Sequence, residues 1–239
     1  MRSELSACAR RPQASLDPRA IRSRRALRDA LSAEIEASGD LSRVTVTALC
    51  DRAGITRRTF YLHYRDIPEL VSAIEDEAVE ELRAYVQAIA STTLPELSEA
   101  IARFQPCPGS VELLRYFEGE GSHLAPLLGD GGDPAFAEKI KGMVRDVVER
   151  RALSGFPLAA LPLFDYYLTF AISAEVGVLV RWLSTGRNES PDDMARVMTA
   201  LTFVRPGDLY GKPIDFDIAS VARAALNHTL STEEANNAR

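Results

Sequence analysis

The sequence predicts an all-α protein, in which a small N-terminal three-helix domain with a helix-turn-helix precedes a larger helical domain. Three observations predict this fold. Apolar residues recur at helical spacing along most of the 239 residues. Glycine, proline and helix-capping residues separate these stretches, and no segment has the pattern of a β-hairpin.

The first predicted helix begins at Asp17-Pro18, where a capping side chain precedes proline at the first helical position. Leu27, Leu31 and Ile35 form its apolar stripe, and Ser38-Gly39-Asp40 ends it. The polar residues 1–17 before it are predicted to be a disordered arm.

The second and third helices are short and lie on either side of a glycine. Thr45 is predicted to cap the second helix, whose inner face follows helical spacing: Val46, Leu49, Cys50 and Ala53. Gly54 stands where a left-handed residue would end that helix, and Thr56 can cap the next. Two short helices joined by a tight glycine turn are typical of a helix-turn-helix.

The rest of the chain is predicted to be helical. Arg65-Asp66-Ile67-Pro68 ends the third helix and begins a long amphipathic one that runs to about residue 89. The later predicted helices are 95–104, 111–118, a short piece at 123–128, 134–153, 162–185, 191 to before Pro206, and 217–230. The predicted domains are therefore the arm 1–17, a helix-turn-helix domain 18–66, a helical domain 67–205 and an extension 206–239.

The charge distribution is uneven. The chain carries a net charge of −6, but residues 1–65 hold 13 Arg and no Lys against 7 acidic residues, a net of +6. Residues 66–239 carry 15 basic and 27 acidic groups, a net of −12. A basic N-terminal part with an acidic body is typical of a protein whose one end contacts a polyanion.

Composition indicates a soluble, cytoplasmic protein. No apolar run approaches the ~20 residues that cross a bilayer, and the longest candidate, 166–183, is interrupted by Ser173, Glu175 and Arg181. No apolar stretch follows the N-terminal arginines, so no secretory signal is predicted.

No cofactor, metal site or enzyme is predicted. The three cysteines lie far apart without CxxC spacing, and the three histidines are scattered. The segment 119–123 does not have G-x-S-x-G spacing, and no strand precedes the glycine-rich loop 129–132.

The segment from Val44 to Leu70 resembles the DNA-binding signature of the TetR/AcrR family of bacterial regulators. Its markers are Thr45-Val46, Ala53-Gly54-Ile55-Thr56, Thr59-Phe60-Tyr61-Leu62-His63-Tyr64 and Glu69-Leu70. The resemblance covers about fifty residues, and the rest of the chain is similar in architecture. One further echo is Trp182, Gly186, Ser190-Pro191 and Met194-Ala195, which resembles the end of one branch of the family.

The resemblance implies a sequence-specific DNA-binding regulator, most often a repressor, that binds a palindromic operator as a homodimer. A small-molecule effector would release it from DNA. A transcriptional activator of the same fold and a helical protein–protein adaptor stay open as alternatives. Family members often place a lysine at the start of the fourth helix, where this chain has Ile67, and Arg65 is the candidate to replace its phosphate contact.

The candidate DNA-binding residues surround the third helix. Arg57 and Arg58 diverge by about 100° on the helix, so one is expected to read a base and the other to bind phosphate. Thr45 and Thr47 lie at a helix N-terminus, which favours a phosphate. The resemblance adds hydrogen bonds from Tyr61 and His63 to the sugar-phosphate backbone. The full set is Thr45, Thr47, Thr56, Arg57, Arg58, Thr59, Tyr61, His63, Tyr64 and Arg65, with Tyr64 assigned either to DNA or to the core.

Two further sets are predicted in the larger domain. Aromatic and polar side chains between its helices are candidates for an effector pocket: Phe104, Tyr116, Phe117, His123, Phe136, Met143, Phe164, Tyr167 and Phe170. The two last helices of this domain are candidates for a dimer interface, with Tyr166, Phe170, Val178, Trp182, Met194, Met198 and Leu201.

Overall fold

The computed structural model describes residues 18–153 and 164–203. Within these ranges the chain forms ten α-helices and two 3-10 turns and no strand, which confirms the predicted all-α fold. The predicted arm 1–17, the extension 206–239, its helix 217–230 and the predicted helix start at Pro162 lie outside the described residues.

The helices occur in the predicted order, and their bounds lie close to the predicted ones. The helices are α1 (Pro18–Ser38), α2 (Val46–Ala53), α3 (Arg57–Tyr61), α4 (Ile67–Ala90), α5 (Leu94–Ala102), α6 (Ser110–Glu118), α7 (Ala125–Leu128), α8 (Pro134–Leu153), α9 (Phe164–Ser184) and α10 (Pro191–Phe203). The 3-10 turns are Leu41–Arg43 and Ser122–Leu124. α5 ends two residues before the predicted Phe104, which itself adopts a positive φ of 54°.

Side-chain caps determine the helix-turn-helix. The hydroxyl of Thr45 accepts a hydrogen bond from the backbone N–H of Ala48, and the hydroxyl of Thr56 accepts one from that of Thr59. Gly54 ends α2 in the left-handed region at φ 65°, which a residue with a side chain rarely adopts. These contacts confirm the predicted caps and the glycine turn.

The larger domain packs around α4. α4 contacts α8 and α6, α8 contacts α9, and α10 packs against α6 and α9. The buried residues of α4 begin at Leu70 and Val71 and continue through Ile74 and Ala78 to Leu82. They belong to one hydrophobic core that also includes Phe60 of the helix-turn-helix and Trp182 of α9.

A second joint lies at the loop before α8. The carbonyl oxygen of Gly131 accepts a hydrogen bond from the backbone N–H of Leu41 at 2.7 Å, and α7 packs against α1. Asp40 caps the 3-10 turn at Leu41–Arg43, with its carboxylate accepting from the N–H of Ser42. This loop therefore holds the N-terminal domain at a point separate from α4.

Candidate nucleic-acid interface and cavity

α3 is anchored by one residue and presents the others to solvent. Phe60 is fully buried, whereas Thr56, Arg57 and Arg58 are exposed and Thr59 is half-buried. Because α3 has only five residues and its cap precedes them, the two arginines lie in its first turn. Their guanidinium groups can reach a partner outside the protein.

The N-terminus of α2 is also open. Thr45 and Thr47 are both exposed, and the hydroxyl of Thr45 is already bonded to the N–H of Ala48. The remaining free N–H groups of the first turn and the helix dipole favour an anion here.

Three aromatic residues follow the first turn of α3 with different exposure. Tyr61 is 58% exposed, whereas His63 and Tyr64 are half-buried. The ring of Tyr64 lies 5.9 Å from that of Phe60, and burial raises the pKa of its phenol. Tyr64 thus packs on the core, and Tyr61 is the more accessible hydroxyl. Leu62, 74% exposed between them, is a possible apolar contact that sequence reasoning did not select.

Arg65 is exposed but already has a partner. Its backbone N–H and its Nε both donate to the carboxylate of Glu69, at 2.6 and 3.0 Å. These hydrogen bonds raise the pKa of Arg65 and lower that of Glu69. A phosphate contact by Arg65 would have to replace or share this ion pair. Ile67, where family members often have lysine, is half-buried.

The N-terminal part of α1 adds positive charge. Arg22, Arg24 and Arg25 are exposed on this helix, whereas Arg52 of α2 forms an ion pair with Glu34 of α1. The sequence predicted an excess of positive charge over residues 1–65, but it did not select these arginines as contacts.

A partly open cavity of about 430 Å³ lies among α4, α5, α6, α8, α9 and α10. Four members of the predicted aromatic and polar set line it: Phe117, Met143, Phe164 and Tyr167. The other lining residues are mainly Leu, Ile and Val, and the cavity also includes Glu175, which sequence reasoning did not select.

The remaining members of that set lie elsewhere. Phe104 and Phe170 are exposed, and Phe136 is fully buried in the core. The hydroxyl of Tyr116 donates to the carboxylate of Glu81, and burial raises its pKa. Nδ1 of His123 lies 3.0 Å from the carbonyl oxygen of Glu120, and burial lowers the pKa of its ring to about 4.

The predicted interface residues of α9 and α10 also divide. Tyr166, Phe170 and Leu201 are exposed, at 74, 72 and 47%, and Val197 lies with them among the exposed apolar residues. We call these four residues the α9–α10 face. Val178 and Met198 are half-buried.

Trp182 and Met194 instead belong to the core of the protomer. Both are buried, and the indole N–H of Trp182 donates to the carbonyl oxygen of Glu189 at 3.1 Å. Their side chains therefore pack inside the protein, below the surface of α9 and α10, and are not exposed to a second chain.

α9 is apolar on more than one side. By length and composition it is the one helix in the described ranges that could cross a membrane, although a third of the window concerned is buried. Its buried side chains pack in the core, among them Leu168, Ile172 and Val176. The described residues hold no group of side chains suited to a metal ion.

Comparison with known proteins agrees with this architecture. Residues 105–203, from the end of α5 through α10, match the family model TetR_C_8, described as a transcriptional regulator C-terminal region. No curated protein matches the chain. The matched region holds most of the cavity and the whole α9–α10 face. This part of the chain is therefore similar to the C-terminal region of TetR-type transcriptional regulators, and a helix-turn-helix precedes it.

Proposed function

We propose that the chain is a transcriptional regulator of the TetR type, which binds a palindromic operator as a homodimer and represses transcription until a small molecule occupies the cavity. The role implies a cytoplasmic location. The observation that carries the DNA-binding part is the exposed first turn of α3, where Arg57 and Arg58 stand on a helix anchored by Phe60.

Residues on both sides of α3 suit contacts to DNA. An arginine fork pairs well with O6 and N7 of guanine in the major groove. The open N-terminus of α2 and the exposed hydroxyl of Tyr61 flank α3 and suit phosphate contacts. The exposed arginines of α1 extend the positive surface.

The α9–α10 face supports a symmetric dimer. Four large apolar side chains are exposed on two helices that contact each other, and exposed apolar surface of this kind suits a protein interface. A two-fold dimer would present two copies of α3 to successive major grooves, about one DNA turn apart.

The effector role rests on α4. Its last turns line the cavity through Leu82, Val86 and Ile89, and its first turns follow directly on the helix-turn-helix and belong to the same hydrophobic core. A ligand that prefers a different position of α4 would change the spacing of the two α3 helices and lower the affinity for DNA.

The test begins with selection of bound sequences from random duplexes by the full-length protein. The selected duplex is then titrated with the wild type, with Arg57→Ala/Arg58→Ala and with Arg103→Ala. Arg103 is an exposed arginine of the larger domain, paired with Glu99, and serves as the matched control.

The double variant is expected to lose roughly 10- to 100-fold in affinity for the selected duplex and less for unrelated DNA, because loss of the base contact affects only the selected site whereas loss of the phosphate contact weakens both. Arg103→Ala should bind as the wild type does. Unchanged binding by the double variant, or no sequence preference in the selection, contradicts the proposal. A reporter gene behind the selected site then distinguishes repression from activation.

A further inference from the structure

The wall of the cavity is mostly apolar and therefore suits a ligand that is mostly apolar. Its walls are formed by Leu, Ile, Val and Met side chains from six helices, with aromatic contributions from Phe117, Phe164 and Tyr167. A cavity of about 430 Å³ lies within the size range of small-molecule sites. Burial of apolar ligand surface would supply most of the affinity.

Most polar groups in the wall already bond to one another. The hydroxyl of Thr199 donates to the carbonyl oxygen of Ala195 and accepts from the backbone N–H of Cys107. The hydroxyl of Ser110 donates to the carbonyl oxygen of Cys107, and the thiol of Cys107 donates to Thr92. These groups have little hydrogen-bonding capacity left for a ligand.

Glu175 is the one carboxylate among the described residues that line the cavity. It is a half-buried residue of α9, and one carboxylate oxygen accepts a hydrogen bond from the hydroxyl of Thr202. No lysine or arginine in residues 18–153 and 164–203 forms an ion pair with it. Burial raises the pKa of this carboxyl, since a charge in an apolar wall lacks the stabilisation that water gives.

We propose that the cavity selects a lipophilic amine, whose protonated nitrogen pairs with the carboxylate of Glu175 while its apolar body fills the space between α4, α6, α8 and α9. The inference deepens the effector role proposed above and rests on it for any consequence for DNA binding. The ammonium group supplies the positive charge that the described wall does not place beside Glu175.

An anionic ligand fits less well. Arg151, at the end of α8, also lines the cavity, but it is an exposed residue that already has an interaction of its own. A carboxylate or phosphate in the cavity would add a second negative charge near Glu175. The electrostatic requirement of this wall is therefore for a cation.

The experiment uses three probes that share one chain and differ in charge: decylamine, decanol and decanoate. Binding of each to the full-length protein is measured by calorimetry below the concentration at which the probe aggregates. The variants are Glu175→Gln and the matched control Glu112→Gln, which removes an exposed carboxylate from α6.

Decylamine is expected to bind the wild type at least about tenfold more tightly than decanol, and decanoate more weakly than either. Glu175→Gln should abolish the preference for the amine while keeping the affinity for decanol, which shows that the cavity is intact. Glu112→Gln should keep the wild-type order.

The proposal is overturned if decanol or decanoate binds the wild type as tightly as decylamine, if none of the probes binds, or if Glu175→Gln keeps the amine preference. The outcome is separable from the effector role. Amine binding that depends on Glu175 but leaves the operator complex intact supports this ligand class and contradicts release by effector. If decanol releases the protein from the operator and Glu175→Gln changes the binding of no probe, the result supports release by an effector and contradicts the amine as the ligand class.

Discussion

Glu75 is the most deeply buried charged residue in the described core. Only 1% of it is exposed, and one of its oxygens forms an ion pair with Lys139 of α8 at 2.9 Å. Its other oxygen accepts no hydrogen bond from the described residues. Burial raises the pKa of Glu75, Lys139 acts in the opposite direction, and the nearby carboxyl of Asp133 raises this pKa further. Lys139 also pairs with the exposed Asp76, so one ammonium group holds α8 against α4.

Removal of this ammonium group should cost far more than removal of a surface one. Lys139→Met leaves Glu75 buried without a counter-charge and should lower the free energy of unfolding by ~3 kcal/mol near pH 8. Lys141→Met, which breaks an exposed pair with Glu138 three residues away, should cost less than about 1 kcal/mol. Urea denaturation of the two variants measures the difference.

The pH dependence gives a second measurement on the same variant. A carboxyl whose folded pKa lies above its unfolded value binds its proton more tightly when folded, so its stabilising contribution is lost as pH rises through the folded pKa. Without Lys139 the pKa of Glu75 should rise further. The deficit of Lys139→Met should therefore shrink between pH 8 and pH 5, and a deficit that does not change over this range would contradict the assignment.

Among the secondary-structure elements, those determined by local chemistry could be predicted from the sequence. Thr45, Gly54 and Thr56 act on backbone groups within a few residues, so their identities were enough to place α2 and α3. The 3-10 turn at Leu41–Arg43 was not predicted, because the N–H of Leu41 donates to the carbonyl oxygen of Gly131, far along the chain.

The composition of the cavity could not be predicted in the same way. Aromatic residues at helical spacing all looked alike in sequence, yet Phe104 is exposed, Phe136 fills the core and Phe164 lines the cavity. These fates depend on how α5, α8 and α9 pack. Glu175 was noted only as an interruption of an apolar run, since its position in the cavity wall depends on α10 and Thr202.

The joint between the 129–132 loop and the N-terminal domain is closely packed. A Cβ atom added at Gly131 would lie 2.2 Å from the carbonyl oxygen of Gly39, which is backbone and must shift to make room. Gly131→Ala is therefore expected to destabilise the protein by ~1–3 kcal/mol, as overpacking does, and to weaken the bond from Leu41.

Gly142→Ala is the matched control for this change. Gly142 lies within α8 with nothing within 4 Å of the added Cβ, so alanine should stabilise the helix by ~0.5–1 kcal/mol. Thermal unfolding of both variants should give shifts of opposite sign. Equal shifts would mean that the loop moves freely and does not hold the N-terminal domain.

At the scale of the whole molecule, the N-terminal part of the chain and the remainder carry opposite net charges. Residues 1–65 carry a net charge of +6 and residues 66–239 one of −12. The positive part holds α3, and the acidic part holds the cavity and the α9–α10 face. DNA would attract the first part and repel the second, which favours an approach with α3 foremost.

The proposed dimer interface can be tested at Phe170. Phe170 is 72% exposed on the α9–α10 face, so Phe170→Glu should not disturb the protomer but would bring two carboxylates into a symmetric apolar interface. Light scattering after gel filtration should give the mass of a monomer for this variant and that of a dimer for the wild type. Phe104→Glu, a similar change at an exposed residue outside that face, should remain dimeric. Because one protomer reaches only half of a palindrome, affinity for the operator should fall ~100-fold or more when the two halves are no longer joined. A dimeric Phe170→Glu with wild-type affinity would require a different interface.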